Sequence, residues 1–322
     1  MQDLNRYTQR IEDEIVKIDF PSLPSNLYDP LRYFLVLGGK RMRPILTLLG
    51  AEAFGSKMEQ ALPCAIAVEF FHNFSLIHDD IMDQAPLRRG QSTVHTKWNQ
   101  SIAILSGDVL LVKGYQMLTK QNAAVLPDLL DLFNRTAIEV CEGQQYDMDF
   151  ESRDNVSIPE YIEMIRLKTS VLLGCALEMG AIVAGASTAD RELIYEFGQQ
   201  IGIAFQIQDD ILDLYADPEK FGKQVGGDVI SNKKTLLLLT AFERSNTSEK
   251  IQLEKLLNEK QVDVKVSSVR QFFDSLGVRE ACKEIMNHHY SKAREALEKI
   301  DIPTNKKAPL LNLAAFLMER EV

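Results

Sequence analysis

The sequence predicts an all-α fold. Apolar residues recur at helical spacing in one segment after another, and no alternating strand pattern of useful length interrupts them. The 17 glycines and 11 prolines together make up about 9 % of the 322 residues, against ~12 % in an average protein. Apolar residues make up 45 % of the chain, enough for a sizeable core. No linker rich in proline, serine or glycine divides it, so we expect one domain over residues 1–322.

The first helices are defined by periodicity and by helix breakers. Residues 3–18 have amphipathic spacing, and residues 28–37 run up to the Gly38-Gly39 stop. Pro44 fits the first turn of a helix that reaches about residue 54. Residues 59–83 form a long apolar helix that ends in an acidic cluster, and residues 102–120 form another helix.

The later helices are longer, and the chain closes with shorter ones. Residues 123–148 and 159–184 are rich in alanine or leucine, and 191–214 ends in a second acidic cluster. Residues 216–232 are a polar loop rich in glycine and lysine. The set is completed by 234–243 and by roughly 248–259, 263–275, 278–299 and 308–320. His288 and His289 lie on an amphipathic segment and are expected at the surface.

The two acidic clusters are nearly identical and lie 130 positions apart, at Asp79-Asp80-Ile81-Met82-Asp83 and Asp209-Asp210-Ile211-Leu212-Asp213. On a helix, the first and last aspartates of each cluster share a face, about 5–6 Å apart. Like charges at this spacing destabilise a helix, and carboxylates beside apolar surface are costly. Hard carboxylate oxygens suit Mg²⁺, which completes its shell with water and substrate phosphate. Two such faces looking at each other predict a magnesium–diphosphate cluster, although a single cluster could be a solvated helix face.

Basic residues that could bind a polyanion accompany both clusters. Arginine binds phosphate oxygens through a two-pronged fork, and lysine supplies a point charge. Alone, each basic group is weak evidence, and their joint spacing around the clusters is the specific feature. They are Lys40, Arg41 and Arg43 after the Gly38-Gly39 turn, Arg88 and Arg89 after Pro86, Lys168, Lys223, and Lys233-Lys234.

Charge and composition exclude several classes of protein. A net charge of −10 argues against nucleic-acid binding, which usually needs a basic face. The four cysteines have no CxxC spacing and resemble reduced thiols of a cytosolic protein. Residues 1–20 are polar and acid-rich, unlike a signal peptide. No run reaches the ~18 apolar residues that span a bilayer, since Glu178 interrupts the longest candidate, 171–186. We therefore expect a cytoplasmic protein without a transmembrane segment.

The motifs together resemble those of the isoprenyl diphosphate synthases, a family of trans-prenyltransferases. The resemblance rests on GGKRMRP (38–44), FHNFSLIHDDIMDQAPLRRG (71–90), GQQYD (143–147), KTS (168–170), FQIQDDILD (205–213) and GKQVGGDVISNKKT (222–235). It implies an orthogonal helix bundle of the isoprenoid synthase class I type around a central active-site cavity. It also implies a homodimer that condenses isopentenyl diphosphate with an allylic diphosphate, using three Mg²⁺ ions.

The resemblance implies a role for each matched residue. Metal ligands would be Asp79, Asp83 and Asp209, supported by Asp80, Asp210, Asp213, Gln144 and Asp147. The allylic diphosphate would be held by Arg88, Lys168, Lys223 and Lys233. Isopentenyl diphosphate would be bound by Lys40, Arg43, His72 and Arg89. Oxygen atoms facing the allylic cation would come from Thr169 and Gln206. For His72, which lies among phenylalanines, a packed core histidine is the alternative.

Product length is predicted from the helix before the first cluster. Phe74 and Phe71 lie five and eight residues before Asp79, about 7.5 and 12 Å along a helix. A prenyl tail that grows along this helix would meet Phe74 first. In the family an aromatic residue there is typical of short-chain enzymes, and Ser75 lacks the aromatic group of some farnesyl-type enzymes. A C20 product, geranylgeranyl diphosphate, is therefore favoured, with C15 as the alternative.

Three other functions remain open. A class I terpene cyclase shares the first cluster but carries a different second motif, absent here. A non-catalytic partner subunit usually loses aspartates or lysines that this chain keeps. A helical metal-binding scaffold would release no diphosphate from allylic substrates.

Overall fold

The computed structural model describes residues 2–216 and 225–318, and these are almost entirely helical. The all-α prediction is confirmed. The strands in the described residues are β1, Leu87–Arg88, and β2, Gln91–Ser92, which pair antiparallel with Leu87 opposite Ser92. Chain contacts divide the protein into two compact units. Unit 1 comprises residues 1–134 and 175–192, and unit 2 comprises 135–174 and 193–322. The single-domain prediction stays a prediction.

Unit 1 is built around the helix that carries the first acidic cluster. Its helices are α1 Gln2–Val16, α2 Ser25–Val36, α3 Met42–Ala53, α4 Met58–Met82, α5 Val94–Lys97 and α6 Gln100–Leu118. The central α4 packs against α3 and α6, and α2 packs against α6. Phe34, Phe70, Phe71 and Phe133 are fully buried in its core. Burial of apolar area at about 25 cal/mol per Å² holds these helices together and fixes the direction of α4.

Three helices contain residues of both units: α7 Leu126–Ser152, α9 Val171–Val183 and α10 Thr188–Tyr215. The remaining helices belong to unit 2: α8 Ile158–Ile165, α11 Gly227–Ile230, α12 Leu236–Arg244, α13 Thr247–Leu257, α14 Val262–Ser275, α15 Val278–Lys299 and α16 Thr304–Met318. A core that includes Tyr161, Ile207, Ile211, Leu236 and Phe273 holds unit 2 together. The second acidic cluster lies on α10 beside this core.

The structure corrects several sequence-based boundaries. The predicted helix 159–184 is interrupted by a π-helical segment, Arg166–Ser170, between α8 and α9. The predicted loop 216–232 contains the short helix α11 in its described part. The last helix begins at Thr304, with Pro309 inside it. The other predicted helices agree with the structure to within a few residues at each end.

α6 is the described helix whose length and mean hydropathy of 1.2 would suffice to cross a membrane. The sequence criterion of an unbroken apolar run missed it, because Asp108 and Lys113 lie within it. The helix packs against α2 and α4, and 39 % of its most apolar window is buried. A core helix passes the same length and composition test, so the test alone assigns no membrane span.

Candidate active site

The first acidic cluster occupies the last turn of α4. The Asp83 amide donates to the Asp79 carbonyl at 2.9 Å, so the helical turn persists and both side chains lie on one face. Asp83 is exposed, Asp79 is partly exposed and Asp80 is buried. The helix ends at Met82 with Asp83 as its C-cap, and Gln84 follows with a φ of 51°, so the end predicted at residue 83 agrees with the structure. The carboxylates of Asp79 and Asp83 are therefore accessible to a cation.

The β1–β2 hairpin brings Arg88 back to this cluster. Arg88 Nε donates to Asp80 Oδ1 at 2.8 Å, and Arg88 Nη2 lies 3.4 Å from Asp79 Oδ2. Burial raises the pKa of Asp80, and the guanidinium of Arg88 offsets part of that rise. The other oxygen of Asp80, Oδ2, is buried without a hydrogen-bond partner. Asp80 thus holds Arg88 beside the helix face that carries Asp79 and Asp83.

A second basic group in unit 1 surrounds His72. Arg43 Nη1 lies 3.1 Å from His72 Nε2, and because arginine can only donate, this ring nitrogen accepts. Burial, together with the charges of Arg43 and Arg89, holds the pKa of His72 well below its usual value, so the ring is neutral. Burial also lowers the pKa of Arg43 to about 10. The structure thus brings His72 and Arg43 together as predicted, whereas Lys40 lies exposed on the preceding turn.

Gly39 shapes this basic group. Its φ is +147°, and a Cβ there would lie 2.9 Å from Arg89 Nη2. Only glycine allows both this backbone conformation and the close approach of the guanidinium. The Gly38-Gly39 turn predicted from the sequence therefore packs against Arg89, which the sequence placed in the same binding group.

In unit 2, the π-helical segment presents Lys168 to Asp147 of α7. Lys168 Nζ donates to Asp147 Oδ2 at 2.6 Å, and Lys233 Nζ lies 3.8 Å from the same oxygen. Burial alone would raise the pKa of Asp147, but the two ammonium groups outweigh it and hold this pKa below its usual value. A Cβ at Gly143 would lie 2.2 Å from the Lys168 amide nitrogen, so glycine is needed for this approach. Single π-helical turns often occur at functional sites.

A hydrogen-bonded chain connects the same segment to the second acidic cluster. Thr169 Oγ1 donates to Gln206 Oε1 at 3.3 Å, and Gln206 Nε2 donates to Asp210 Oδ1 at 3.2 Å. Tyr161 donates its hydroxyl to Asp210 Oδ2. Burial raises the pKa of Asp210 to about 7, although the tyrosine hydroxyl counteracts it. The Asp210 side chain is thus buried in unit 2 and hydrogen-bonded there, whereas Asp209 and Asp213 are partly exposed.

Sequence reasoning missed Asp228 and Tyr161. The Asp228 amide donates to Asp213 Oδ2 at 3.0 Å, and burial followed by the charge of Asp213 raises the pKa of Asp228 to about 6. Asp228 lies inside the 222–235 motif, so its signal was present but unused. Tyr161 had no signal, because an aromatic residue on a helix is usually core. A small pocket is lined in part by Asp210, Asp213, Asp228 and Lys233.

For two of the predicted site residues, the structure gives either no description, as for Lys223, or a side-chain nitrogen without a hydrogen-bond partner, as for Gln144. Lys223 lies outside the described residues. Gln144 is next to the Gly143 contact, and its buried Nε2 has no hydrogen-bond partner. In residues 2–216 and 225–318, no three His, Cys, Asp or Glu side chains enclose a metal position by themselves. This fits Mg²⁺, which binds through one or two carboxylates and takes its other ligands from phosphate and water. In unit 1 the accessible carboxylates of Asp79 and Asp83 and the unpartnered Asp80 Oδ2 suit such an ion. In unit 2 the partly exposed Asp209 does so separately.

The residues predicted to limit product length form an aromatic contact series in unit 1. The ring of Phe74 lies 4.6 Å from His78 and 5.7 Å from Phe71, between ring centroids. Phe71 is fully buried, with Phe133 at 5.4 Å. Phe74 is only partly buried, so it is the more accessible of the two. Ser75 donates its hydroxyl to the His72 carbonyl at 2.8 Å and is small, as expected.

Comparison with known proteins agrees with these motifs. The polyprenyl synthetase family profile matches residues 24–276. The chain belongs to the polyprenyl synthetase family. A geranylgeranyl diphosphate synthase of Methanosarcina mazei is 39 % identical over 96 % of this chain and 93 % of its own length. A geranylfarnesyl diphosphate synthase of Natronomonas pharaonis is 35 % identical over 97 % of this chain and 95 % of its own length.

Solved structures of this family superpose over nearly the whole chain. A geranylgeranyl pyrophosphate synthase has 44 % identity and a TM-score of 0.92, with 100 % of this chain and 99 % of that chain covered. Another, from Corynebacterium glutamicum in complex with isoprenyl diphosphate and magnesium, has 28 % identity and a TM-score of 0.83, covering 99 % of this chain and 98 % of its own. The isoprenoid synthase fold and the trans-prenyltransferase class are thereby confirmed, and the family is magnesium-dependent.

Proposed function

We propose that this polyprenyl synthetase condenses isopentenyl diphosphate with an allylic diphosphate, head to tail and in trans, to give geranylgeranyl diphosphate. The observation that carries the proposal is that acidic and basic side chains lie in contact in each unit. Arg88 contacts Asp80 and Asp79 in unit 1, and Lys168 and Lys233 converge on Asp147 in unit 2. Carboxylates and cations side by side suit a metal–diphosphate complex, which needs both charges.

Magnesium would be held by Asp79, Asp83 and Asp209, with three ions in the substrate complex. When bound, Mg²⁺ neutralises negative charge on the diphosphate and so makes it a better leaving group. Asp80, Asp210, Asp213, Gln144 and Asp147 would support these ligands and the neighbouring cations. The prediction that the two clusters face each other stays a prediction.

The chain's own cations would hold the substrates. Arg88, Lys168 and Lys233, with Lys223, would bind the allylic diphosphate, where charge grows as the carbon–oxygen bond breaks. Lys40, Arg43, His72 and Arg89 would bind isopentenyl diphosphate. The double bond of isopentenyl diphosphate would then attack the allylic cation to form the new carbon–carbon bond, and the released diphosphate would take the proton that the product loses. Oxygens of Thr169 and Gln206 would stabilise the cation, and their hydrogen bond fixes their orientation.

A C20 product is supported by Phe74 and by the similarity to geranylgeranyl diphosphate synthases. Phe74 contacts Phe71 and His78, so its ring is held in place rather than free to swing aside. A C15 product is the alternative. The geranylfarnesyl diphosphate synthase among the relatives shows that similarity at 35 % does not fix the length.

A single assay tests this function. The purified chain is incubated with isopentenyl diphosphate, Mg²⁺ and one allylic starter of five, ten or fifteen carbons, and the products are separated by chromatography. We expect a C20 diphosphate and no turnover when a chelator removes the metal. Products formed without isopentenyl diphosphate would instead identify a cyclase, and no turnover with any starter would indicate a partner subunit or a scaffold.

We also propose a homodimer that pairs through α6. Leu105 and Val112 lie two turns apart on this helix, and each is 57 % exposed. Exposed large apolar residues on one helix face are typical of interaction surfaces. A cytoplasmic location remains a prediction from the sequence.

A further inference from the structure

Glu69 is a buried carboxylate of α4 that lies outside both acidic clusters. It is 2 % exposed, and its Oε1 accepts hydrogen bonds from Arg41 Nη1 and from Asn73 Nδ2, the latter at 2.9 Å. His72 and Asn73 follow it by three and four residues, so the three side chains share one face of the helix. Burying an unpaired carboxylate destabilises a protein, so the partners of Glu69 are needed to stabilise its charge.

Each of the three side-chain nitrogens of Arg41 donates a hydrogen bond to another residue of the protein. Its side chain is 1 % exposed, its Nε donates to Glu12 Oε1 at 2.6 Å, and its Nη2 donates to the Leu35 carbonyl at 2.8 Å. Its backbone has a φ of 47°, in the left-handed region that a non-glycine residue adopts at a cost. With these contacts Arg41 anchors the turn between Lys40 and Arg43 instead of binding a ligand.

Glu69 also acts on the two other arginines of this group through its charge. Burial lowers the pKa of Arg43, and Glu69 is the carboxylate that opposes this change. Burial likewise lowers the pKa of Arg89, again opposed by Glu69. His72, which contacts Arg43, is neutral and adds no charge. Glu69 contacts Arg41 directly, and the turn that Arg41 anchors carries Arg43 and packs against Arg89 at Gly39.

We propose that Glu69 is the positioning residue of the basic group: through Arg41 it fixes the turn that carries Arg43, so that Arg43 and Arg89 keep the arrangement that binds the diphosphate of isopentenyl diphosphate. The inference rests on the proposed function for the identity of that ligand. Removing Glu69 leaves Arg41 without its buried counter-charge, so the turn loses its anchor and the diphosphate loses part of its preorganised binding group.

The test compares Glu69→Gln with Glu12→Gln, since each substitution removes one carboxylate partner of Arg41. We expect Glu69→Gln to raise the KM for isopentenyl diphosphate about tenfold and to change the KM for the allylic substrate by less than about twofold. Glu12→Gln should change neither KM by more than about twofold. Calorimetric titration with isopentenyl diphosphate measures the same loss of affinity without requiring turnover.

Three results would overturn the role of Glu69. They are an unchanged or lowered KM for isopentenyl diphosphate, an equal rise of both KM values, and an equal effect of Glu12→Gln. If Glu69→Gln does not fold, the double variant Glu69→Gln/Arg41→Met removes both buried charges. It should still bind isopentenyl diphosphate weakly, and wild-type affinity would contradict the proposal. A wild-type chain that binds isopentenyl diphosphate but condenses nothing would refute the proposed function alone.

Discussion

Lys168 Nζ lies 2.6 Å from Asp147 Oδ2, and the same oxygen is 3.8 Å from Lys233 Nζ. One carboxylate of α7 therefore holds two lysines that come from the π-helical segment and from the chain after the second acidic cluster. Both lysines were predicted to bind the allylic diphosphate. The position of Asp147 indicates how the protein keeps two like charges together before substrate binds.

Asp147→Asn should weaken binding of the allylic diphosphate. Asparagine has a similar shape but lacks the charge that attracts the two lysines, so we expect kcat/KM for the allylic diphosphate to fall roughly 10- to 100-fold. Steady-state kinetics with varied allylic substrate measures the effect. Asp149→Asn is the matched control, because Asp149 is exposed on the same helix and its side chain accepts a local hydrogen bond from Gln145. Equal losses in the two variants would contradict the role of Asp147.

Phe74→Ala should lengthen the product. Phe74 is the first phenylalanine before the first cluster, and its removal opens space towards the buried Phe71. Chromatography of the products should show chains beyond C20. Phe316→Ala, which removes a 38 % exposed ring on α16, should leave the product unchanged. If Phe74→Ala still makes no product longer than C20, Phe74 is not the residue that limits product length.

Gly143→Ala should displace the π-helical segment. The added Cβ would lie 2.2 Å from the Lys168 nitrogen and 2.7 Å from the Leu167 carbonyl carbon, both of which are backbone atoms. The free energy of unfolding should fall by about 1–3 kcal/mol, and kcat should fall with it. Calorimetry and kinetics measure the two effects. Glu142→Ala, at an exposed neighbouring position, is the control, and a Gly143→Ala variant as stable and active as wild type would show that the segment adapts easily.

The sequence predicted the features that depend on local pattern. Helix periodicity and breakers located α4 and α10, and the spacing of each cluster placed Asp79 and Asp83 on one face. The π-helical segment depends on close approach at Gly143, a contact between residues distant in sequence. Asp228 lies inside a recognised motif, but its contact with Asp213, like that of Tyr161 with Asp210, depends on how the chain folds. The paired aspartates, most of the cations and the supporting carboxylates Asp80 and Asp147 were thus predictable, whereas Tyr161 and the contact of Asp228 were not.

His289 shows the same limit and gives a pH prediction. It was expected at the surface, which is wrong, because its Nδ1 lies 2.6 Å from Gln200 Oε1 on α10. An amphipathic pattern does not show which polar residue has a partner on another helix. Burial, and then the charge of His288, lowers the pKa of His289 to about 4.

The unfolded chain, with an ordinary histidine pKa near 6.5, therefore binds a proton before the folded protein does. The stability contributed by this group is present above pH ~6.5 and is lost as the pH falls towards 4. We expect His289→Gln to flatten this part of the stability–pH curve, measured by denaturant unfolding from pH 7 to pH 4. His288→Gln removes only the second of these two causes, the charge of His288, so it should flatten the curve less than His289→Gln does. Equal slopes in wild type and His289→Gln would show that the decline comes from other groups.

Leu105→Glu tests the proposed homodimer. Leu105 and Val112 lie on one face of α6, and a charge placed between two apolar faces would be buried without a partner, which is costly. We expect the variant to elute as a monomer in size-exclusion chromatography with light scattering, while the wild type is a dimer. Val262→Glu, at a 41 % exposed residue of α14, should remain a dimer, because it lies on a different helix. A dimeric Leu105→Glu would move the interface away from this face of α6.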